Sequence, residues 1–149
     1  LMIPIRSVVV SAVLLSEIEG ELKILLMNRV KGNFWCHVAG KVEPNETASQ
    51  AILREILEET GTHVQQLFSA DFIEQFYEPS LNVIEMIPVF VGYCEPNQSI
   101  ELNHEHTEYQ WCSIQKAKKL AVFSNQRKLY DFIWENFVLQ KPSLLLKIK

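Results

Sequence analysis

Residues 40–62, with the sequence GKVEPNETASQAILREILEETGT, combine the strongest helix signal in the chain with a cluster of acidic side chains. Thr47 followed three residues later by Gln50 fits a capping box, and good helix formers fill residues 51–59. Gly61 stands where a helix commonly ends in a left-handed residue. The segment therefore predicts a helix with defined ends between two loops, and this constrains the fold more than any other part of the chain.

The acidic side chains of the predicted helix share one face. At about 100° per residue, Glu55, Glu58 and Glu59 fall within one stripe. Beside it falls an apolar stripe that can face a core, formed by Ile52, Leu53, Ile56 and Leu57. Like charges at this spacing destabilise a bare helix by roughly 0.2–0.5 kcal/mol per pair. A divalent cation bound by carboxylate oxygens would reverse that sign. A solvated acidic face is the commoner meaning of such a cluster, so the stripe alone leaves both interpretations open.

Three residues near the carboxylates bear on the choice between a solvated acidic face and a cation-binding site. Ala48 and Ala51 fall on the acidic side of the helix, where small residues are expected to leave room for a ligand. Arg54 precedes Glu58 by four residues and is expected to hold that carboxylate in place.

Apolar and β-branched runs outside this helix predict a sheet. The runs 8–15 and 22–27, separated by the turn Glu19-Gly20-Glu21, are typical of a hairpin. Pro88 interrupts the strand expected over 83–93 and indicates an edge position or a bulge. The other expected elements are extended segments at 34–38, 64–77 and 109–112, a polar loop at 103–108, a short helix at 113–120 and a further helix capped by Ser124. This order predicts an α/β or an α+β fold with a mixed sheet between helices.

The composition narrows the classes of protein. A chain of 149 residues with 48% hydrophobic residues can bury one core, which predicts one domain over residues 1–149. The net charge of −4 and the absence of a basic run disfavour a nucleic-acid partner.

The three cysteines bear on the compartment. Cys36, Cys94 and Cys112 lack the spacing of a zinc site or a disulfide scaffold and are expected to be reduced thiols. No membrane span or signal peptide is recognisable, so a cytoplasmic location without a membrane partner is expected. The sequence leaves the oligomeric state open.

The spacing of residues within this segment resembles the Nudix box. Gly40 is followed after five residues by Glu46, after seven more by Arg54-Glu55-Ile56, and then, each after one residue, by Glu58-Glu59 and Gly61. Thr62 in a usually apolar position and Ala39 in place of a second glycine depart from the pattern without removing a carboxylate. The resemblance to the Nudix hydrolase family implies an α/β/α sandwich with a mixed β-sheet between helices, and hydrolysis of a diphosphate linkage with Mg²⁺ or Mn²⁺.

Carried over residue by residue, the resemblance assigns roles to the box. Glu55, Glu58 and Glu59 are the implied metal ligands, and one of them or a loop acid would orient or deprotonate the attacking water. Glu46 would support the metal cluster. Arg54 would orient a glutamate, so Glu58, Glu55 and Arg54 are candidate catalytic residues.

Short patches elsewhere resemble one branch of the family. Phe34-Trp35, Tyr109–Trp111 and Ser124–Arg127 are similar to the branch of dihydroneopterin triphosphate pyrophosphatases and dATP pyrophosphohydrolases. By that resemblance Arg29 would contact the substrate phosphates. Glu105 would be a further metal ligand and a candidate catalytic residue.

Several candidate residues also have a structural interpretation. Trp35 is a candidate substrate-binding platform, although tryptophan is more often a core residue. Gly40 and Lys41, in the loop of the box, are candidate substrate-binding residues. His104 and His106 flank the loop acid, but a pair of histidines without a third ligand is a weak metal signal, and a polar loop is the favoured interpretation.

The resemblance implies a Mg²⁺-dependent enzyme that cleaves a nucleoside triphosphate or related triphosphate, of the dATP or dihydroneopterin triphosphate type, and releases pyrophosphate. The partner would be a small-molecule phosphate anhydride. Hydrolysis of a dinucleoside polyphosphate or a nucleotide sugar is the alternative, and Tyr77, sixteen residues after Gly61, resembles a tyrosine of some dinucleoside polyphosphate hydrolases. A module that senses a nucleotide without cleaving it is disfavoured by the intact box glutamates. RNA end processing is disfavoured by the negative net charge.

Overall fold

Eight strands form one mixed sheet in the computed structural model, which describes residues 1–149. The strands are β1 (Ile5–Arg6), β2 (Val9–Ile18), β3 (Glu21–Arg29), β4 (Trp35–Cys36), β5 (Val38–Lys41), β6 (Gln66–Glu78), β7 (Val83–Tyr93) and β8 (His106–Cys112). Strand β7 runs parallel to β1 and β2, and all other pairs are antiparallel. The chain from β4 to β5 crosses from the edge of β3 to the edge of β2, and His37 lies at the crossing point.

Strand β2 is the centre of the fold. Every residue from Val10 to Ser16 is buried, because both faces of the strand are covered. Val13 and Leu15 point into one core, whereas Ala12 and Leu14 point into the other. Such a continuous apolar run is typical of a strand that lies between two layers of helices.

Three α-helices cover the two faces of the sheet. They are α1 (Ala48–Thr60), α2 (Ile114–Leu120) and α3 (Ser124–Ile133), and α3 continues as a π-helical turn over Trp134–Val138. Helix α1 packs into one core through Ala51, Ile52 and Ile56, and α3 packs into the other through Leu129 and Ile133. Leu53 also packs against the α1 core, whereas Leu57, expected on the same apolar stripe, is exposed because it lies at the far margin of that stripe. The α/β/α sandwich with a mixed sheet is therefore confirmed. The longest helix has 13 residues, and none has the length and apolar composition of a membrane span.

The sequence correctly defines the ends of α1. The Thr47 hydroxyl accepts a hydrogen bond from the Gln50 backbone N–H at 3.1 Å, and the Gln50 side chain accepts one from the Thr47 N–H at 2.9 Å. Gly61 ends the helix with φ of +70°. The predicted hairpin is also confirmed, because Ile18 pairs with Glu21 around a two-residue turn.

Of the two alternatives predicted for Pro88, the bulge is confirmed: Pro88 pairs with Ile73, where β6 is irregular between Ser69 and Ile73, and it does not lie in an edge strand. Two local predictions need correction. The predicted polar loop at 103–108 is shorter, since β8 already begins at His106. Ser124 is the first residue of α3 and not its cap; the Gln126 side chain instead accepts a hydrogen bond from the backbone N–H of the preceding Phe123 at 3.2 Å.

We expect Thr47→Ala to lower the free energy of unfolding by about 1 kcal/mol, because the Gln50 backbone N–H loses its partner at the start of α1. Urea unfolding measures this change. Ser49→Ala is the matched control, because Ser49 lies in the first turn of the same helix and is not a cap. Equal losses in the two variants would contradict the capping role.

Candidate active site

A cleft of about 760 Å³ opens beside the crossing from β4 to β5. Its lining comes from strands β2 to β8, the end of α1 and the start of α3, and includes Arg29, Phe34, His37, Gly40, Glu59 and Glu74. The volume lies within the range of roughly 300–1,000 Å³ that is usual for small-molecule sites. The cleft is therefore the candidate active site.

Arg54 joins the loop after β5 to helix α1. Its guanidinium donates to both carboxylate oxygens of Glu46, at 2.7 and 2.9 Å, and to the backbone oxygen of Lys41 at 2.9 Å. It also donates to Glu55 at 2.8 Å and to Glu58 at 3.3 Å. The expected contact with Glu58 is present, but Glu46 is the main partner. Hydrogen bonds from Arg54 and from the backbone hold the pKa of Glu46 below its usual value.

Gly40 makes room for the carboxylate of Glu55. A methyl group at position 40 would overlap the carboxyl group of Glu55, which is buried against the β5 backbone. The glycine is therefore required by the close approach of strand and helix. Ala48 and Ala51, expected to leave room for a ligand, pack against the core under α1 instead.

Glu59 is the most deeply buried acid of the predicted stripe. Its side chain faces the cleft but is 1% exposed, and its Oε2 has no hydrogen-bond partner. Burial, a hydrogen bond with Glu55 and the negative charge of Glu105 raise the pKa of Glu59 to about 9. A buried carboxylate in this environment is stabilised as an anion only when a positive charge comes close.

Glu59, Glu105 and His106 form a group that can hold a metal ion. One possible ligand atom from each lies within 4.8 Å of those of the other two, and Glu59 Oε1 is 3.9 Å from His106 Nε2. Burial lowers the pKa of His106 and so favours the neutral imidazole that binds metals. The unpartnered oxygen of Glu59 and this set of oxygen and nitrogen donors fit a divalent cation.

The predicted ligands are thus divided between two environments. Glu59 and Glu105 come together in the cleft. Glu55 lies directly behind Glu59 and contacts Arg54. Glu58 does not line the cleft; its side chain is 53% exposed and turns toward Arg54.

The predicted substrate-binding residues are also divided. Arg29, Gly40 and Lys41 line the cleft, and the Arg29 guanidinium carbon lies 5.2 Å from the centre of the Phe34 ring. Trp35 does not line the cleft but packs against the core beneath α2 and α3. Its neighbour Phe34 is the aromatic residue on the cleft side.

Sequence reasoning missed two features of the site. His106, assigned to a polar loop, is buried at the start of β8 beside Glu59. The only signal for His106 in the sequence was its position between Glu105, the predicted loop acid, and the strand predicted at 109–112. The second feature is a buried hydrogen-bonded chain that starts from His37, for which the sequence carries no local pattern.

This chain joins four polar side chains at the wall of the cleft. His37 Nδ1 lies 2.9 Å from the Tyr130 hydroxyl, and His37 Nε2 lies 2.9 Å from Glu74 Oε1. The Ser11 hydroxyl donates to the same oxygen of Glu74 at 2.9 Å. Burial alone would raise the pKa of Glu74, but the charge of His37 and the hydrogen bonds from His37 and Ser11 outweigh it and hold the pKa below its usual value.

Comparison with known proteins agrees with the fold. A family model described as the NUDIX domain matches residues 6–132. The chain therefore belongs to the Nudix hydrolase family, whose enzymes use a divalent metal ion and act on small-molecule phosphate substrates. It is a hydrolase that acts on phosphoric anhydrides.

The relatives differ in substrate. The asymmetrical bis(5'-nucleosyl)-tetraphosphatase of Caenorhabditis elegans is 24% identical over 119 residues, which cover 78% of this chain and 86% of that protein. The CTP pyrophosphohydrolase of Escherichia coli (strain K12) is 32% identical over 108 residues, which cover 67% of this chain and 73% of that protein. The structure of the E. coli dihydroneopterin triphosphate pyrophosphohydrolase superposes with a TM-score of 0.75 at 24% identity, covering 93% of this chain and 99% of that one, and it shows the shared fold.

We expect Gly40→Ala to weaken Mn²⁺ binding by about 10–100-fold, because the new methyl group overlaps the carboxyl group of Glu55, a predicted metal ligand, and displaces it. Electron paramagnetic resonance of free Mn²⁺ measures the affinity without any turnover. Gly20→Ala is the control for a general loss of stability, since φ of +85° strains an alanine in the β2–β3 turn while a methyl group there contacts nothing within 4 Å. Unchanged Mn²⁺ affinity in a folded Gly40→Ala protein would show that the position of Glu55 is not needed for the metal.

Proposed function

We propose that this chain is a Mg²⁺-dependent pyrophosphohydrolase that cleaves a nucleoside triphosphate or related triphosphate, of the dATP or dihydroneopterin triphosphate type, and releases pyrophosphate. The observation that carries the proposal is the unpartnered, buried oxygen of Glu59, which faces the cleft beside Glu105. Free cysteines at all three positions support a cytoplasmic place of action.

The acidic side chains would hold the metal and the water. Glu59 and Glu105 would be ligands in the cleft, with Glu55 and Glu58 completing the set of carboxylates. When bound, Mg²⁺ supplies the positive charge that neutralises phosphate oxygens and activates water. Glu55 or Glu58 would accept the proton of that water, and the contacts of Arg54 with both carboxylates support a role in orienting them.

The basic side chains would hold the phosphates. Arg29 and Lys41 line the cleft and offer cationic donors to phosphate oxygens. The backbone at Gly40 lies in the same wall, next to the buried Glu55. Positioning plus electrostatic stabilisation is sufficient for this chemistry, because no covalent nucleophile is required.

Hydrolysis of a dinucleoside polyphosphate is the second candidate. Two relatives, from C. elegans and Sus scrofa, are asymmetrical bis(5'-nucleosyl)-tetraphosphatases. Phe76 and Tyr77 line the cleft and are half exposed, so they offer ring faces on which a second base could stack.

A panel of nucleoside triphosphates, dihydroneopterin triphosphate, dinucleoside polyphosphates and nucleotide sugars separates these candidates. We expect Mg²⁺-dependent release of pyrophosphate from a triphosphate, measured by phosphate-product chromatography. Faster cleavage of a dinucleoside polyphosphate would favour the second candidate. No hydrolysis of any compound with Mg²⁺ or Mn²⁺ would contradict both.

We expect Glu59→Gln to lower turnover by about 100-fold or more, because the substitution keeps the size of the side chain but removes the buried anionic ligand. Steady-state kinetics under saturating Mg²⁺ measure the loss, and circular dichroism checks the fold. Glu17→Gln changes an exposed carboxylate of β2 and serves as the control for loss of one negative charge. Wild-type turnover in the Glu59 variant would contradict the assignment of Glu59 as a metal ligand.

A further inference from the structure

We propose that Glu74 recognises the ring attached to the phosphates, by accepting hydrogen bonds from the N–H edge of a 2-amino-4-oxopyrimidine ring such as that of guanine or a pterin. The inference rests on the proposed function for the class of ligand, and of the two types named there it favours the dihydroneopterin triphosphate type over the dATP type. It adds a specificity-determining residue on β6, a strand outside the box.

The carboxylate of Glu74 has one occupied and one free oxygen. Ser11 and His37 both contact Oε1, and no protein group donates to Oε2. The side chain is 11% exposed and lines the cleft, and Oε2 is not sealed from solvent. A fixed acceptor is therefore presented to whatever enters the cleft.

The network behind Glu74 restricts its orientation. Tyr130 is fully buried and contacts His37 on the side away from Glu74, so imidazole and carboxylate are both held in place. A buried polar network of this kind adds little to stability compared with apolar residues of the same volume. Its position in the wall of the cleft is better explained by an acceptor prepared for a ligand.

Ring chemistry selects which ligand this acceptor fits. Guanine and pterins present a ring N–H and a 2-amino group side by side, so both can donate to one carboxylate, which accepts only. Adenine presents an unprotonated ring nitrogen beside its amino group, and uracil flanks its N–H with two carbonyl oxygens. Either arrangement brings an acceptor toward the carboxylate and leaves a polar group without a partner.

The surrounding residues provide a place for such a ring near the metal group. Phe34 and Phe123 both line the cleft and meet edge to face with their centroids 5.9 Å apart, and Phe123 is 55% exposed. An exposed aromatic face can stack on a heterocycle. His37 follows Cys36, whose sulfur lies 3.9 Å from His106 Nε2, so the ring site and the metal group belong to one cleft.

The test is equilibrium binding of nucleoside monophosphates without metal, measured by calorimetry. We expect the wild-type protein to bind GMP about 10–100-fold more tightly than AMP, with IMP between them because it lacks the 2-amino group. Glu74→Gln should remove this preference. Glu85→Gln, which changes a buried carboxylate that pairs with Arg6 outside the cleft, should keep it.

Equal affinity of the wild-type protein for GMP and AMP would overturn the inference, as would an unchanged preference in folded Glu74→Gln. If that variant does not fold, Glu74→Asp replaces it because it keeps the charge and withdraws the acceptor from the cleft, and an unchanged preference for GMP in that variant overturns the inference. If the protein prefers GMP but hydrolyses no phosphoric anhydride, the role of Glu74 in ring recognition is supported and the proposed function is contradicted. If it hydrolyses a phosphoric anhydride but binds GMP and AMP equally, the proposed function is supported and the role of Glu74 is contradicted.

Discussion

The guanidinium of Arg54 is the contact on which the site depends. It lies among four carboxylates, those of Glu43, Glu46, Glu55 and Glu58, and also donates to the backbone oxygen of Lys41 at the end of β5. The paired hydrogen bonds to Glu46 need the planar fork of arginine, which a lysine ammonium does not provide. One cation thus offsets repulsion within α1 and fixes the loop against the helix.

This attachment leaves Glu59 free to face the cleft. Arg54 satisfies Glu55, and the absence of a side chain at Gly40 lets the β5 backbone lie against that carboxylate. Glu59 then lies in a dry environment next to Glu105, where its ionised form is disfavoured. A divalent cation reverses that preference, so the acidity of the chain is compatible with an anionic substrate.

The sequence predicted the features that depend on local contacts. The capping box, the glycine at the end of α1 and the hairpin turn all depend on residues within a few positions of one another. The spacing of the box likewise identified Arg54 and the acids around it. These features follow from backbone geometry and need no knowledge of the sheet.

The features that were missed depend on distant pairs. His37 and Tyr130 are 93 positions apart, and His106 approaches Glu59 only because β8 pairs with β3. The choice between Phe34 and Trp35 depends on which face of an extended segment points to the cleft, and a shift of one residue reverses it. A helical projection also could not show that the core extends around Ala51.

The most direct test of the account is the position of the metal. Crystals soaked with Mn²⁺ and a non-hydrolysable nucleoside triphosphate should give an anomalous scattering peak within coordination distance of both Glu59 and Glu105. A peak only at exposed carboxylates away from the cleft, or bound nucleotide with no metal at Glu59, would contradict it.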